Sequence, residues 1–205
     1  MDFSGVVCQQ GSLLESIVEL CPRLDYNKAK EKYNLAKVSK ISNDEYLSFF
    51  TKESMDWSSN QVTIHKGATD FLKNNKLPLY IASNHISKII QKEIDILGVR
   101  EYFDNIFISD KLRVAKPSEE FYQEVLKRIK LKANEVVFID DQKRNLIPAK
   151  AMGMKTIWVN NMKVDPFGDN GDIVPDAEVY NLAELNSIIS EFDKNEKTRI
   201  VNAGR

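Results

Sequence analysis

The sequence predicts an α/β protein: a parallel sheet covered by helices on both faces, with a separate layer of helices inserted near its start. Three observations carry that reading. From about residue 64 onward, short apolar runs alternate with segments of helical periodicity. The apolar runs are continuous rather than alternating, as strands buried on both faces are. Residues 11–63 show helical patterns and no convincing strand.

Within the insert, residues 12–21, 26–38 and 44–52 have helical spacing, and Ser42-x-x-Glu45 resembles a capping box. Beyond it, residues 79–82 (LYIA) form a short apolar run bounded by Pro78 and Ser83, as a buried strand would be. Residues 85–97 carry a helical stripe of Ile86, Ile89, Ile90, Ile94 and Leu97. Residues 106–108 (IFI) read as the next strand. A helix opens after Pro117, with Ser118 as N-cap and Phe121, Val125, Leu126 and Ile129 on its apolar face. Residues 136–139 (VVFI) are a strand, and a helix over about 145–152 stops at Gly153. Residues 156–159 (TIWV) are a strand again, 160–175 with Pro166, Gly168 and Gly171 are a loop, and 182–192 are a last helix.

A chain of 205 residues accommodates one sizeable core, or one core and a small insert. Its 29 Lys and Arg balance 30 Asp and Glu, which argues against a broad basic footprint for nucleic acid or an anionic membrane surface. No apolar run approaches the roughly 20 residues that cross a bilayer. The first residues lack the plan of a signal peptide, so the expected address is cytoplasmic. Cys8 and Cys21 make neither a metal-ligand pair nor a disulfide framework and read as small buried side chains.

Four polar groups stand where strands end: Asp2-Phe3-Ser4-Gly5-Val6, Ser83-Asn84, Lys116-Pro117 and Asp140-Asp141. In parallel sheets, functional groups collect at the carboxyl ends of strands. Singly, each has a plain reading: a solvated terminus, a turn, a loop lysine, a solvated helix start. Taken together and in order, they point to one site.

That order resembles the haloacid dehalogenase (HAD) superfamily, whose members carry an Asp-x-Asp-Gly-Thr/Val box, a Ser or Thr after an apolar strand, a Lys usually followed by Pro, and a late acidic pair. The matching stretches here are DFSGVV, LYIASN, RVAKPSEEFY and VVFIDDQKRN, the last continuing as NLIPAKAMGMKTIWV. The resemblance implies a Rossmann-like HAD core over residues 1–10 and 64–205, with a helical cap over 11–63. It implies a magnesium-dependent phosphatase or phosphotransferase acting on a small phosphorylated metabolite. Asp2 would be the nucleophile, forming an aspartyl-phosphate. Magnesium would sit among Asp2, the Ser4 carbonyl, Asp140 and Asp141, since it takes hard oxygen ligands. Ser83 would donate a hydrogen bond to the phosphate, Lys116 would hold the transferring group as a point charge, and Ser4 and Asn84 would line the substrate.

Other polar residues carry weaker signals. His65 and His85 fall in no triad or metal spacing and read as structural. Arg113 reads as a solvated loop residue, Asn145 as a brace for the acidic loop, and Arg23 as a candidate substrate contact from the insert.

Two features depart from the family pattern. Ser4 replaces the second acid of the first box, which in family phosphatases protonates the leaving group and then activates water. A serine hydroxyl holds its proton too tightly for that work, whose worth is about 10²–10⁴-fold. Slow turnover is therefore expected, least impaired on good leaving groups. The second feature is that only Met1 precedes Asp2, where a buried strand of roughly five residues is expected. An upstream start or a filler at 199–201 would complete the sheet. Both departures favour the main competitor, a catalytically impaired HAD-like binding or regulatory module. A metal-free dehalogenase is a third reading, opposed by the acidic pair. A response-regulator receiver is rejected, because its acidic pair comes first in the chain and it has no helical insert.

Overall fold

The computed structural model describes residues 1–9, 20, 24–160 and 173–203. The expected helix over 12–21 (Leu20 apart), Cys21, Arg23 and the loop residues Pro166, Gly168 and Gly171 lie outside the described residues. In chain order the elements are β1 (Cys8–Gln9), α1 (Tyr26–Ala36), α2 (Asn43–Leu47), α3 (Lys52–Asn60), β2 (Thr63–Ile64) and α4 (Ala68–Asn74). Next come β3 (Tyr80–Ser83), α5 (Ser87–Leu97), β4 (Asn105–Ile108), α6 (Ser109–Leu112) and α7 (Glu119–Ile129). The chain continues with β5 (Val137–Asp140), α8 (Lys143–Ala151), β6 (Lys155–Val159), β7 (Ala177–Val179) and α9 (Leu185–Ala203). The expected α/β fold is present, with strands and helices alternating from β3 to β6.

The sheet is built in two parallel parts, β3–β4 and β5–β6–β7. Met1 and Asp2 join them. Met1 N donates to Tyr80 O at 2.8 Å, Ala82 N donates to Met1 O at 2.9 Å, and Asp2 N donates to Ile139 O at 2.8 Å. The strand order is therefore β4-β3-(1–2)-β5-β6-β7, with two residues at the centre. Beneath Met1 an apolar cavity of about 190 Å³ separates β3 from β5, lined by Leu79, Tyr80, Phe121, Val137 and Ile139 among others. The filler expected at 199–201 is overturned, because those residues belong to α9.

β1 and β2 pair antiparallel, Cys8 opposite Ile64, and so tie together the two ends of the inserted segment. The helices between them have a core of their own, in which Ala29, Ala36, Tyr46 and Phe50 pack against Ile86 of the main body. The main core is Phe3, Val6, Ile81, Ile90, Ile94, Ile139 and Ile157, all buried across the sheet.

Most boundaries fall within two or three residues of the expected ones. The helix expected over 44–52 is instead two helices, α2 and α3. Thr51 explains the break: its hydroxyl accepts the Ser54 N–H at 3.2 Å and restarts the helix as an N-terminal cap does. The capping box is half realised, with Ser42 Oγ accepting from Glu45 N at 3.0 Å while Glu45 turns to Lys32. β7 went unforeseen. The Asp176 carboxylate, which accepts both Thr156 N (2.9 Å) and Thr156 Oγ1 (2.8 Å), pins it to β6.

Candidate active site

Asp2 is held by the stub that bridges the two half-sheets, level with the end of β5. Its Oδ1 accepts the Phe3 N–H at 2.8 Å and its Oδ2 lies 3.0 Å from Lys116 Nζ. The chain then turns sharply, with Gly5 N donating to Cys8 O at 2.8 Å and Val7 N to Phe3 O at 2.8 Å. Gly5 makes this turn at φ +84°, where L side chains are rare, and a Cβ there would stand 2.1 Å from Asp141 Oδ2. Glycine is therefore required twice over: for the turn, and for the approach of the acidic loop. Half-buried Ser4 sits inside the turn, bridged to Cys8.

Lys116 is the buried cation of the site. Its ammonium lies 2.7 Å from Asp140 Oδ2 and 3.0 Å from Asp2 Oδ2. Burial works against that charge, but the Asp140 and Asp2 carboxylates outweigh it and hold the pKa above the ordinary lysine value. Asp140, at the end of β5, also accepts Gln142 N at 2.9 Å and Asn145 Nδ2 at 3.0 Å through Oδ1. Burial pushes its carboxyl upward against the pull of Lys116. Asp141 is pushed well above the carboxylate range, first by burial and then by Asp140 and Asp2.

Asp2, Asp140 and Asp141 each offer one oxygen, all within 4.8 Å of one another. Three carboxylates against one buried ammonium leave a surplus of negative charge in a place of low dielectric. A hard divalent cation fits that donor set: it takes oxygen ligands and offsets the burial and mutual repulsion that hold Asp140 and Asp141 high.

Ser83 is buried at the end of β3. Asn84 next to it accepts Lys116 N and donates to Lys116 O, both at 2.8 Å, so its amide clamps the lysine's backbone. Asn145 braces the acidic loop, and its own carbonyl accepts the Tyr122 hydroxyl at 2.5 Å. The remaining candidates are elsewhere occupied. His85 Nδ1 accepts Ile86 N at 2.8 Å and its Nε2 lies 3.8 Å from buried Glu93. His65 is buried, and Arg113 is exposed in a left-handed turn at φ 60°.

Three contributors had escaped the sequence reading. Trp158 Nε1 donates to Asp141 O at 2.9 Å. Tyr33 of α1 donates to Asn84 O at 3.0 Å; burial, then Asp2, pushes its phenol above its usual range. Buried Asp110 accepts Ser87 N (2.9 Å), Ser87 Oγ (2.7 Å) and Asn43 Nδ2 (2.9 Å). It thus caps the start of α5, whose own N-cap, Ile86, offers no side-chain acceptor. The one available hint was a carboxylate directly after an apolar strand, in FISD.

Comparison with known proteins agrees with the α/β fold. Residues 13–159 match a family model described as haloacid dehalogenase-like hydrolase. An (S)-2-haloacid dehalogenase 2 from Pseudomonas sp. (strain CBS-3) is 26% identical over 125 residues, 61% of this chain and 54% of that protein. A glyceraldehyde 3-phosphate phosphatase from Methanocaldococcus jannaschii is 33% identical over 99 residues, 48% of this chain and 42% of that protein. The chain thus spans about half the length of these curated relatives. A solved HAD family enzyme from Bacteroides thetaiotaomicron, in complex with magnesium and inorganic phosphate, superposes with a TM-score of 0.65 at 18% identity. It covers 81% of this chain and 95% of its own, and at that identity the likeness speaks for the fold alone. Among the described residues, no helix is long and apolar enough to cross a membrane.

Proposed function

The chain belongs to the haloacid dehalogenase-like hydrolases, and from that premise we propose that it is a magnesium-dependent phosphohydrolase acting on a small phosphorylated metabolite through Asp2. One observation carries the reading: Asp2, Asp140 and Asp141 converge within 4.8 Å, with the buried Lys116 ammonium against two of them. The phosphatase likeness supports it.

In this reading the Asp2 carboxylate attacks phosphorus, the bond to the leaving oxygen breaks, and water then attacks the aspartyl-phosphate to release phosphate and restore Asp2. Lys116 holds the transferring group and balances its charge. Ser83 donates to one of its oxygens, while Asn84 acts on Lys116 as a positioning residue. Asp2, the Ser4 carbonyl, Asp141 and the neighbouring Asp140 would hold magnesium, which would supply charge neutralisation there. Ser4 offers no general acid, so the leaving group departs as its anion or takes its proton from water. Good leaving groups such as acyl phosphates are favoured. Residues 11–63 act as the cap over a core of 1–10 and 64–205, closing over the substrate and excluding water. The likeness to a dehalogenase raises a metal-free halide-releasing reading, but three clustered carboxylates speak against it.

The test is phosphate release from acetyl phosphate and 4-nitrophenyl phosphate, with and without magnesium, for wild type, Asp2→Asn and Ser4→Asp. Magnesium-dependent release is expected, abolished in Asp2→Asn and raised in Ser4→Asp by up to about 10²-fold on the poorer leaving group. No release from wild type or Ser4→Asp, with folding confirmed, overturns the enzyme reading in favour of a binding module. Halide release from 2-chloropropionate that a chelator leaves unchanged would favour the dehalogenase.

A further inference from the structure

The four residues after β3, Asn84 to Ser87, are held alternately by the inserted helices and by the main body. His85 exchanges two hydrogen bonds with Ser109 Oγ, at 3.2 and 3.3 Å, and Ser87 is held by Asp110. Ile86 lies in the apolar cluster of the insert, and Asn84 O accepts the Tyr33 hydroxyl at 3.0 Å. The insert thus grips the same short stretch that carries Asn84.

Tyr33 belongs to both layers. Its ring centroid lies 5.8 Å from that of Tyr46, whose ring stands edge-on to Phe50 at 5.1 Å, so the ring moves with the insert. Its hydroxyl reaches 51 positions along the chain into the main body. Burial, then Asp2, holds the phenol above its usual range, so the hydroxyl stays a donor at neutral pH. Asn84 in turn faces two ways. Its main-chain oxygen meets Tyr33, while its side-chain amide brackets Lys116 N and Lys116 O at 2.8 Å each. The Lys116 ammonium then reaches Asp140 at 2.7 Å and Asp2 at 3.0 Å. Two residues, Asn84 and Lys116, stand between the aromatic core of the insert and Asp2.

We propose that Tyr33 is a positioning residue, through which the seated insert fixes Asn84 and, by its clamp, the Lys116 ammonium beside Asp2. The insert then helps to assemble the site as well as to cover it, and lifting it withdraws the hydroxyl and loosens the lysine. The effect on turnover rests on the phosphoryl site at Asp2; the effect on Lys116 does not.

The experiment compares wild type, Tyr33→Phe, Asn84→Ala and the double variant, each confirmed folded. Hydrogen exchange of the Lys116 amide is followed by NMR, and kcat and KM are measured for magnesium-dependent phosphate release from acetyl phosphate. Tyr33→Phe keeps the ring in its aromatic cluster and removes the donor alone. It should speed Lys116 exchange and lower kcat, each by about three- to tenfold, the scale of one hydrogen bond, with KM within about twofold. Once Asn84→Ala has removed the clamp, adding Tyr33→Phe should change either quantity by less than about twofold. Faster exchange in the insert alone, with Lys116 at the wild-type rate, overturns the proposal, because Tyr33 then only seats the helices. Effects that multiply in the double variant overturn it as well. If wild type releases no phosphate, the phosphoryl reading fails, and Lys116 exchange still decides whether Tyr33 positions the lysine.

Discussion

The carboxylate site and the helical layer facing it are held in place by different means. At the site, backbone fixes the side chains: Asp2 hangs on the Ile139 carbonyl, Asp140 ends β5, and Asn84 grips Lys116 by its main chain. The helical layer rests on side chains. Tyr46 and Phe50 pack on Ile86, Asn43 reaches Asp110, Ser39 Oγ donates to Asp110 O, and Tyr33 reaches Asn84. Ladder-bound groups cannot move without breaking the sheet, whereas a layer held by one small apolar cluster and a few polar contacts can separate at modest cost. The rigid part thus carries the proposed chemistry and the separable part carries the proposed gate. Asp110 spans both.

That contrast breaks first at Asp110. Asp110→Ala should cost about 3 kcal/mol, because it strips three hydrogen bonds between a buried carboxylate and half-buried partners and uncaps α5. Hydrogen exchange should show the loss spread over both α5 and the inserted helices. Protection lost from the insert alone would mean that the two regions are less coupled than the bonds imply.

A second test acts on the site alone. Asp140 and Asp141 have raised carboxyl pKa values, so in the metal-free protein they take up protons at higher pH than ordinary carboxylates do. A raised acid pKa favours the folded state as pH falls toward the ordinary carboxylate range. Metal-free stability should therefore gain from mild acidity, while magnesium, which needs the ionised forms, binds less tightly there. Each displaced proton corresponds to tenfold in affinity per pH unit, about 1.4 kcal/mol. Calorimetric magnesium titrations between pH 5 and 8 read this directly, and Asp141→Asn should flatten the dependence.

Asn84→Ala should cost about 1 kcal/mol in stability, since Lys116 loses the amide that brackets its backbone. In a turnover assay the loss should fall on kcat rather than KM, as for a positioning residue. The smallest effect belongs to the exposed pair between Lys88 of α5 and Asp44 of the insert. Lys88→Gln should shift stability by no more than about 0.5 kcal/mol, and high salt should erase the difference. A larger shift would mean that this surface, and not Asp110, does most of the holding.

The alternation of β3 to β6 with the intervening helices was legible because continuous apolar runs and 3.6-residue stripes are local patterns. Ser83 and Asp140 were legible for a related reason: once the strands are known, they must stand at their ends, whereas Lys116, expected at a strand end, lies in the loop after α6. What local pattern could not give was anything decided by a distant partner. Thr51 split a helix through a single hydroxyl contact, and β7 exists because Asp176 finds Thr156. Asp110 caps a helix that begins 23 positions earlier in the chain, and a carboxylate after a strand does not announce which N-terminus it will meet.

The sequence by itself determined the class of fold, the order of the elements and the residues that gather where strands end, because hydrophobic period and strand polarity are written locally. Tertiary structure alone decided that two residues bridge the half-sheets and that Gly5 yields its side-chain space to Asp141. Each of these depends on the distance between residues far apart in the chain, and only the packed core sets such distances.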